Sequence, residues 1–283
     1  MISTSCQATV HGAVSIVNAI ATGKGAALGI SLQTTATLKL KQGQGRLIFQ
    51  KKNNTLFSYI INSTIPKKIR QENDIYLSIK SDIPIGVGLK SSSAVSSAVS
   101  LACYAILSDH FNDFDILNTA VESSKLANVS ITGAFDDSTA CYFGGFVMTD
   151  NNSNILIKRE PARENIRIII LIPVKTERNN VLRLLHFPEL FNKAFELAKQ
   201  DYLTAMKLNG IMVSSIMSYN YEPILTSIEN GALSASVSGN GPSIAIIVNE
   251  KDTDKIKLDL ERYGKVFVCN INNKKATVEK IVG

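Results

Sequence analysis

The sequence predicts an α+β fold, and three observations carry that prediction. The first third of the chain is dominated by short β-branched or alternating apolar runs. A helical pattern with apolar residues over much of its surface follows at Ser91–Leu107, and the second half mixes helical and strand patterns without repeating a unit. Taken in order, residues 27–40, 45–50, 55–61 and 74–80 read as strands, with polar loops at 42–45 and 51–54. In Ser91–Leu107 the apolar residues Ala94, Val95, Ala98, Val99, Leu101, Ala102, Ala105 and Ile106 cover much of the helix, so this helix is expected to be buried. Residues 115–127 read as a second helix. Gly144 and Gly145 turn the chain into a strand at 146–149, and 150–154 is a polar turn cluster. Beyond it, 167–172 reads as a buried strand, 188–208, 211–219 and 223–229 as helices, and 234–238 and 243–248 as strands around a glycine-rich loop. Residues 252–263 form a charged amphipathic helix and 265–269 a last strand. A domain boundary is expected near residue 160, dividing 1–160 from 161–283.

Composition narrows the function classes. The 283 residues are 45% hydrophobic and 19% charged, which is ordinary for a globular protein. No stretch reaches the ~18 uninterrupted apolar residues of a membrane span, and the first residues lack a signal-peptide pattern. A cytoplasmic protein without a membrane partner is expected. Cys6, Cys103, Cys141 and Cys269 are far apart and form no CxxC pair, which argues against a disulfide framework or a zinc site; Cys103 and Cys141 read as buried free thiols. His11, His110 and His186 are isolated. The net charge of +6 suits an anionic ligand, but the cations are scattered and no basic stripe interleaves with aromatics, so no nucleic-acid partner is expected.

The most informative segment runs Pro84-Ile85-Gly86-Val87-Gly88-Leu89-Lys90-Ser91-Ser92-Ser93-Ala94, between a strand and the long helix. Gly86 and Gly88 allow a tight turn and a close backbone approach to a ligand. Ser91, Ser92 and Ser93 then lie over the first helical turn, where free N–H groups and the helix dipole attract anions. This is a phosphate cradle, and the alternative is a glycine turn with serine caps. It is not a Walker loop. In Ala21-Thr22-Gly23-Lys24-Gly25, glycine follows the lysine where Ser or Thr belongs, and Asn18 stands where the first glycine would.

Thr132-Gly133-Ala134-Phe135-Asp136-Asp137 places two carboxylates in a small, apolar setting, where burial is costly and tunes a base. Either aspartate is a candidate base, and Asp136 is also a candidate helix cap. Glu122, the one acidic residue in 121–135, is a candidate metal ligand or a solvated helix residue. Ser236-Val237-Ser238-Gly239-Asn240-Gly241-Pro242-Ser243 joins two strands. Its glycines Gly239 and Gly241 permit close approach to a phosphate or substrate, the alternative being a plain hairpin loop.

The glycine–serine segment resembles the signature Pro-x-x-x-Gly-Leu-Gly-Ser-Ser-Ala-Ala of the GHMP kinases. Pro84, Gly88, Leu89, Ser91, Ser92 and Ala94 match in place, whereas Lys90 stands for a glycine and Ser93 for an alanine. The 238–243 loop resembles the third motif of that superfamily in its homoserine kinase form. In mevalonate and galactose kinases the catalytic Asp stands seven residues before a glycine, as Asp137 does before Gly144, which favours Asp137 over Asp136. The stretch Asn18-Ala19-Ile20-Ala21-Thr22-Gly23-Lys24-Gly25-Ala26-Ala27 resembles the N-terminal signature of archaeal shikimate kinases, and 88–93 and 132–137 resemble that subfamily as well.

The resemblance implies a ribosomal-protein-S5-like N-terminal domain and a ferredoxin-like C-terminal one. It implies ATP and Mg²⁺, with Ser92 and Glu122 holding the metal and the loop amides and Lys90 holding phosphates. Asp137 would take the proton of the 3-hydroxyl of shikimate on the route to aromatic amino acids. Thr22, Lys24 and Arg178 would face the acceptor, with Ser238, Gly239 and Gly241 nearby; Lys175 is a further cation close to Arg178. The alternatives are another kinase of the superfamily, chiefly homoserine kinase, or a non-catalytic metabolite-binding protein of the same fold.

Overall fold

The computed structural model describes residues 4–49, 55–130, 133–174 and 180–281. The chain opens with a long antiparallel pair, β1 (Ser5–Val17) and β2 (Lys24–Gln42). It continues through β3 (Leu47–Phe49), α1 (Thr55–Thr64), α2 (Lys67–Glu72), β4 (Asn73–Ser81), α3 (Ser91–Leu107), α4 (Asp113–Leu126), α5 (Phe135–Phe143), β5 (Phe146–Asp150) and β6 (Ile155–Glu160). A second series follows: β7 (Ile166–Pro173), α6 (Pro188–Ala198), α7 (Tyr202–Ile216), α8 (Glu222–Glu229), β8 (Ser234–Val237), β9 (Ile244–Asn249), α9 (Thr253–Leu260), β10 (Gly264–Asn270) and β11 (Thr277–Ile281).

The strands form two sheets. The first has seven strands, ordered β11-β1-β2-β4-β3, with β5 and β6 attached to the other half of β2. β2 is long enough for two neighbours on one side, pairing with β5 through Lys24–Leu28 and with β4 through Thr34–Gln42. The second sheet has four strands in the order β10-β7-β9-β8. The last strand, β11, returns to the first sheet and pairs with β1. Helices α6 and α7 pack against strands of the first sheet, and α7 also packs against β8, so one core connects both halves.

α3 is the central buried helix, as its composition requires. Ala94, Ala98, Val99, Leu101, Ala102, Ala105 and Ile106 are all buried, and it packs on β1, β2, α1, α4 and α5. All four cysteines are buried and free. Among the described residues no helix is long and apolar enough to cross a membrane.

Three expectations need correction. Residues 55–61 are helical, not a strand: Leu56, Phe57, Ile60 and Ile61 are the buried residues of α1, and that spacing is helical. The helix expected over 188–208 breaks between Ala198 and Tyr202, because the Asp201 side chain accepts hydrogen bonds from the Leu203 and Thr204 N–H groups and starts α7 anew. α7 then runs through Asn209 and Gly210 without the expected break. Gly210 stays inside it because a Cβ there would come within 2.7 Å of the Ala235 carbonyl of β8.

Candidate active site

The glycine–serine segment forms the connection from β4 to α3. Gly86 and Gly88 have φ of 76° and 93°, and a Cβ on Gly88 would come within 2.0 Å of the Ser238 carbonyl oxygen. The segment is bound to the second sheet at two points. The Ser238 hydroxyl donates to the Gly88 carbonyl at 2.8 Å, and the Ser243 N–H donates to the Val87 carbonyl at 3.1 Å. The end of β1 closes the ring. Ser15 N–H donates to Ser238 Oγ at 3.2 Å, Gly239 N–H donates to Ser15 Oγ at 2.9 Å, and Asn18 Nδ2 donates to the Gly239 carbonyl at 3.0 Å. Asn209 of α7 braces this end by accepting from the Asn18 N–H at 2.9 Å.

Lys90 is the N-cap of α3 and sits in the left-handed region at φ 63°, a conformation glycine adopts without steric cost. That is why glycine stands here in the general signature. Here the side chain lines the site, and its Nζ lies 2.8 Å from Asp137 Oδ1 with the two side chains 7% and 14% exposed. Burial opposes the Lys90 charge, but Asp137 and Asp136 beside it hold its pKa above the usual lysine value, so it stays protonated. Burial, reinforced by the charge of Asp136, pushes the Asp137 carboxyl up to about 7, while Lys90 pulls it back. A carboxylate poised there can take a proton near neutral pH.

α5 carries both aspartates in its first turn, where carboxylates suit the helix dipole. The capping alternative for Asp136 does not hold, because Ala134 at φ 52° is the N-cap. Asp136 is instead gripped by Asn151 at the end of β5. Asn151 Nδ2 donates to Asp136 Oδ1 at 2.7 Å, and Asn151 Oδ1 accepts from the Asp136 N–H at 3.0 Å.

These elements enclose a cavity of about 470 Å³ whose wall brings together Gly86, Gly88, Leu89, Lys90, Ser91, Ser92, Ser93, Asp136, Asp137, Gly239 and Gly241. Pro84 starts the loop from outside the wall, and Ser238 stands behind it as the stitch to Gly88. Thr22 and Lys24 are also off the wall. The Thr22 hydroxyl accepts from the Lys24 N–H at 3.1 Å and shapes the turn whose Ala19 and Ile20 do line the cavity. Glu122 lies on the exposed side of α4, paired with Lys125 at 2.8 Å and absent from the wall. Thr132, Lys175 and Arg178 lie outside the described residues.

Sequence reasoning passed over Ser15, Asn18, Asn151 and Tyr219 as site residues. Tyr219 lines the cavity and donates its hydroxyl to the Asn240 carbonyl at 2.8 Å. For Asn151 the available signal was weak, a polar residue in a turn cluster that is nonetheless 3% exposed.

Known proteins resemble this chain in sequence and in fold. Residues 54–145 match the model of the GHMP kinases N terminal domain. Over nearly its whole length the chain is similar to a shikimate kinase of Pyrococcus furiosus, 36% identical over 91% of this chain and 96% of that protein. It is likewise similar to a shikimate kinase of Methanothermobacter thermautotrophicus, 33% identical over 93% of this chain and 94% of the other. Among solved structures, homoserine kinase from Cytophaga hutchinsonii superposes with a TM-score of 0.77 at 20% identity, over 99% of this chain and 98% of that one, a likeness of fold. With a glycine–serine loop opening a buried helix onto a lysine–aspartate pair, and with relatives of this identity along its length, the chain belongs to the shikimate kinase family of the GHMP kinase superfamily.

Proposed function

We propose that this protein transfers the γ-phosphoryl group of ATP to the 3-hydroxyl of shikimate in the cytoplasm, releasing ADP and shikimate 3-phosphate. One observation carries the reading: the Lys90–Asp137 pair lies on the wall of the same cavity that the glycine–serine loop lines. The relatives' name supplies the acceptor. The nucleotide phosphates would rest on the loop, where the first turn of α3 offers free N–H groups and the positive end of its dipole. The loop belongs to the proposed N-terminal unit, 1–160, and the acceptor would sit at its border with the C-terminal unit, 161–283.

Phosphoryl transfer asks a protein mainly for positioning and charge compensation. Asp137 would orient the 3-hydroxyl and take its proton as that oxygen bonds to the γ-phosphorus. The bond from the γ-phosphorus to the bridging oxygen breaks, and the electron pair leaves with ADP. Lys90, fixed by its ion pair, keeps positive charge between base and phosphates throughout. The acceptor carboxylate needs a cation. Lys24, on the turn that supplies Ala19 and Ile20, and Arg178 are the proposed partners.

The site fits a magnesium ion held chiefly by phosphate oxygens and water. Among the described residues no cluster of three or more His, Cys, Asp or Glu side chains exists, whereas the Ser92 hydroxyl stands at the open end of α3. Ser92 would hold it, and the ion would neutralise charge on the β- and γ-phosphates. Glu122, bound to Lys125 away from the wall, does not fit that role in this arrangement.

A coupled ADP-release assay with ATP, magnesium and either shikimate or homoserine tests the reading. Turnover of shikimate alone is expected. Turnover of homoserine alone would move the activity to that acceptor, and nucleotide binding with no turnover of either would favour a non-catalytic binding protein.

A further inference from the structure

The cavity contains a second carboxylate to which the proton transfer assigns no task. Asp136 is 4% exposed, lines the cavity, and precedes Asp137 on the first turn of α5. It is held with unusual care. Asn151 binds both its Oδ1 and its N–H, and Asn151 is itself fixed by the Thr149 hydroxyl, which donates to Asn151 Oδ1 at 2.7 Å. Asp136 Oδ2 lies against Gly25, where a Cβ would come within 2.3 Å of it, so only glycine leaves it room. Among the described residues Asp136 Oδ2 has no hydrogen-bond partner. With Oδ1 bound by Asn151, Oδ2 is left to accept a hydrogen bond from a ligand in the cavity that Asp136 lines.

Neighbouring residues on a helix project about 100° apart. Asp136 and Asp137 therefore reach the cavity along diverging lines, poorly suited to gripping one hydroxyl and well suited to two on adjacent carbons. We infer that Asp136 is a specificity-determining residue that accepts a hydrogen bond from the hydroxyl next to the one phosphorylated, with Asn151 as its positioning residue, so that the site selects vicinal diols. The inference rests on the proposed phosphorylation of shikimate at its 3-hydroxyl, for which the neighbouring group is the 4-hydroxyl.

The test compares kcat/KM for shikimate and for 4-deoxyshikimate, in the unaltered protein and in Asp136→Asn, at saturating ATP and across a magnesium titration. The unaltered protein should prefer shikimate by roughly 10²-fold, the scale of a charge-assisted hydrogen bond lost from a buried site. Asp136→Asn should narrow that preference to less than about tenfold, the range of a neutral hydrogen bond, with an unchanged magnesium requirement. Equal use of both acceptors by the unaltered protein would overturn the inference, whether or not the variant folds. An Asp136→Asn protein that retains the preference but needs more magnesium for both acceptors would overturn it too, by making Asp136 a metal ligand. No turnover of shikimate by the unaltered protein would instead remove the reading beneath it, and the inference with it.

Discussion

Two pairs of helices in this molecule begin in opposite ways. α4 and α7 start on Asn112 and Asp201, extended residues whose side chains accept hydrogen bonds from first-turn N–H groups. α3 and α5 start on Lys90 and Ala134, both left-handed and neither making a side-chain cap. The first pair is sealed by its own side chains. The second pair opens on the cavity, with Ser91, Ser92 and Ser93 in the first turn of α3 and Asp136 and Asp137 in that of α5. A cap would occupy the donors that an anion must reach. The open ends forgo the ~1 kcal/mol of a good cap and accept left-handed strain of about the same size. α6, α8 and α9 also start without a side-chain cap, so what sets α3 and α5 apart is the left-handed residue that begins each.

The largest expected effect lies at the open end of α5. Asp137→Asn should lower kcat by roughly 10²-fold or more, the scale of a lost general base, while a nucleotide titration shows ATP binding nearly unchanged. Full activity in that variant would place this helix end outside the chemistry.

A sharper version uses pH. With Asp137 pushed up to about 7, kcat/KM should fall as the pH drops through that value and the base takes up a proton. Lys90 lowers the Asp137 pKa and Asp136 raises it, so their removal should have opposite signs. Lys90→Gly, which keeps the left-handed backbone, should move the acid limb to higher pH, and Asp136→Asn should move it to lower pH. Shifts in the same direction would contradict the electrostatic account.

At the open end of α3, Ser92→Ala should raise the KM for ATP at limiting magnesium without lowering the thermal midpoint. An unchanged KM would remove Ser92 from the nucleotide site. The smallest effect belongs to the sealed pair: Asn112→Ala should cost about 1 kcal/mol by chemical denaturation and leave both KM values unaltered. A kinetic change there would break the division between the two kinds of helix end.

What could be read from the sequence was local. Gly86, Gly88 and the three serines announce a turn and an open helix end within a dozen residues, and the small apolar surface of α3 announces its burial. The aspartate pair stood out because carboxylates are rare among such neighbours. What could not be read depends on distant strands becoming neighbours. Lys90 and Asp137 are 47 positions apart, and nothing near either names the other. Lys90 read as a charge beside the phosphates, and its φ of 63° shows that it fills a glycine position while aiming its ammonium at the base. Asn151 looked like one polar residue of a turn, because its grip on Asp136 exists only once β5 lies beside α5. Glu122 was placed on the correct helix, but the buried neighbours Val121, Ser123 and Ser124 turn it outward to Lys125. In residues 55–61 the helical spacing of Leu56, Phe57, Ile60 and Ile61 is present in the sequence, but the run is too short for that spacing to separate a helix from a strand.

The most direct measurement is ³¹P and proton NMR of the product formed from ATP, magnesium and shikimate. The account predicts one phosphomonoester whose phosphorus couples to the hydrogen on ring carbon 3, appearing in step with ADP. A phosphorus coupled to a different ring position, or ADP accompanied only by inorganic phosphate, would contradict it.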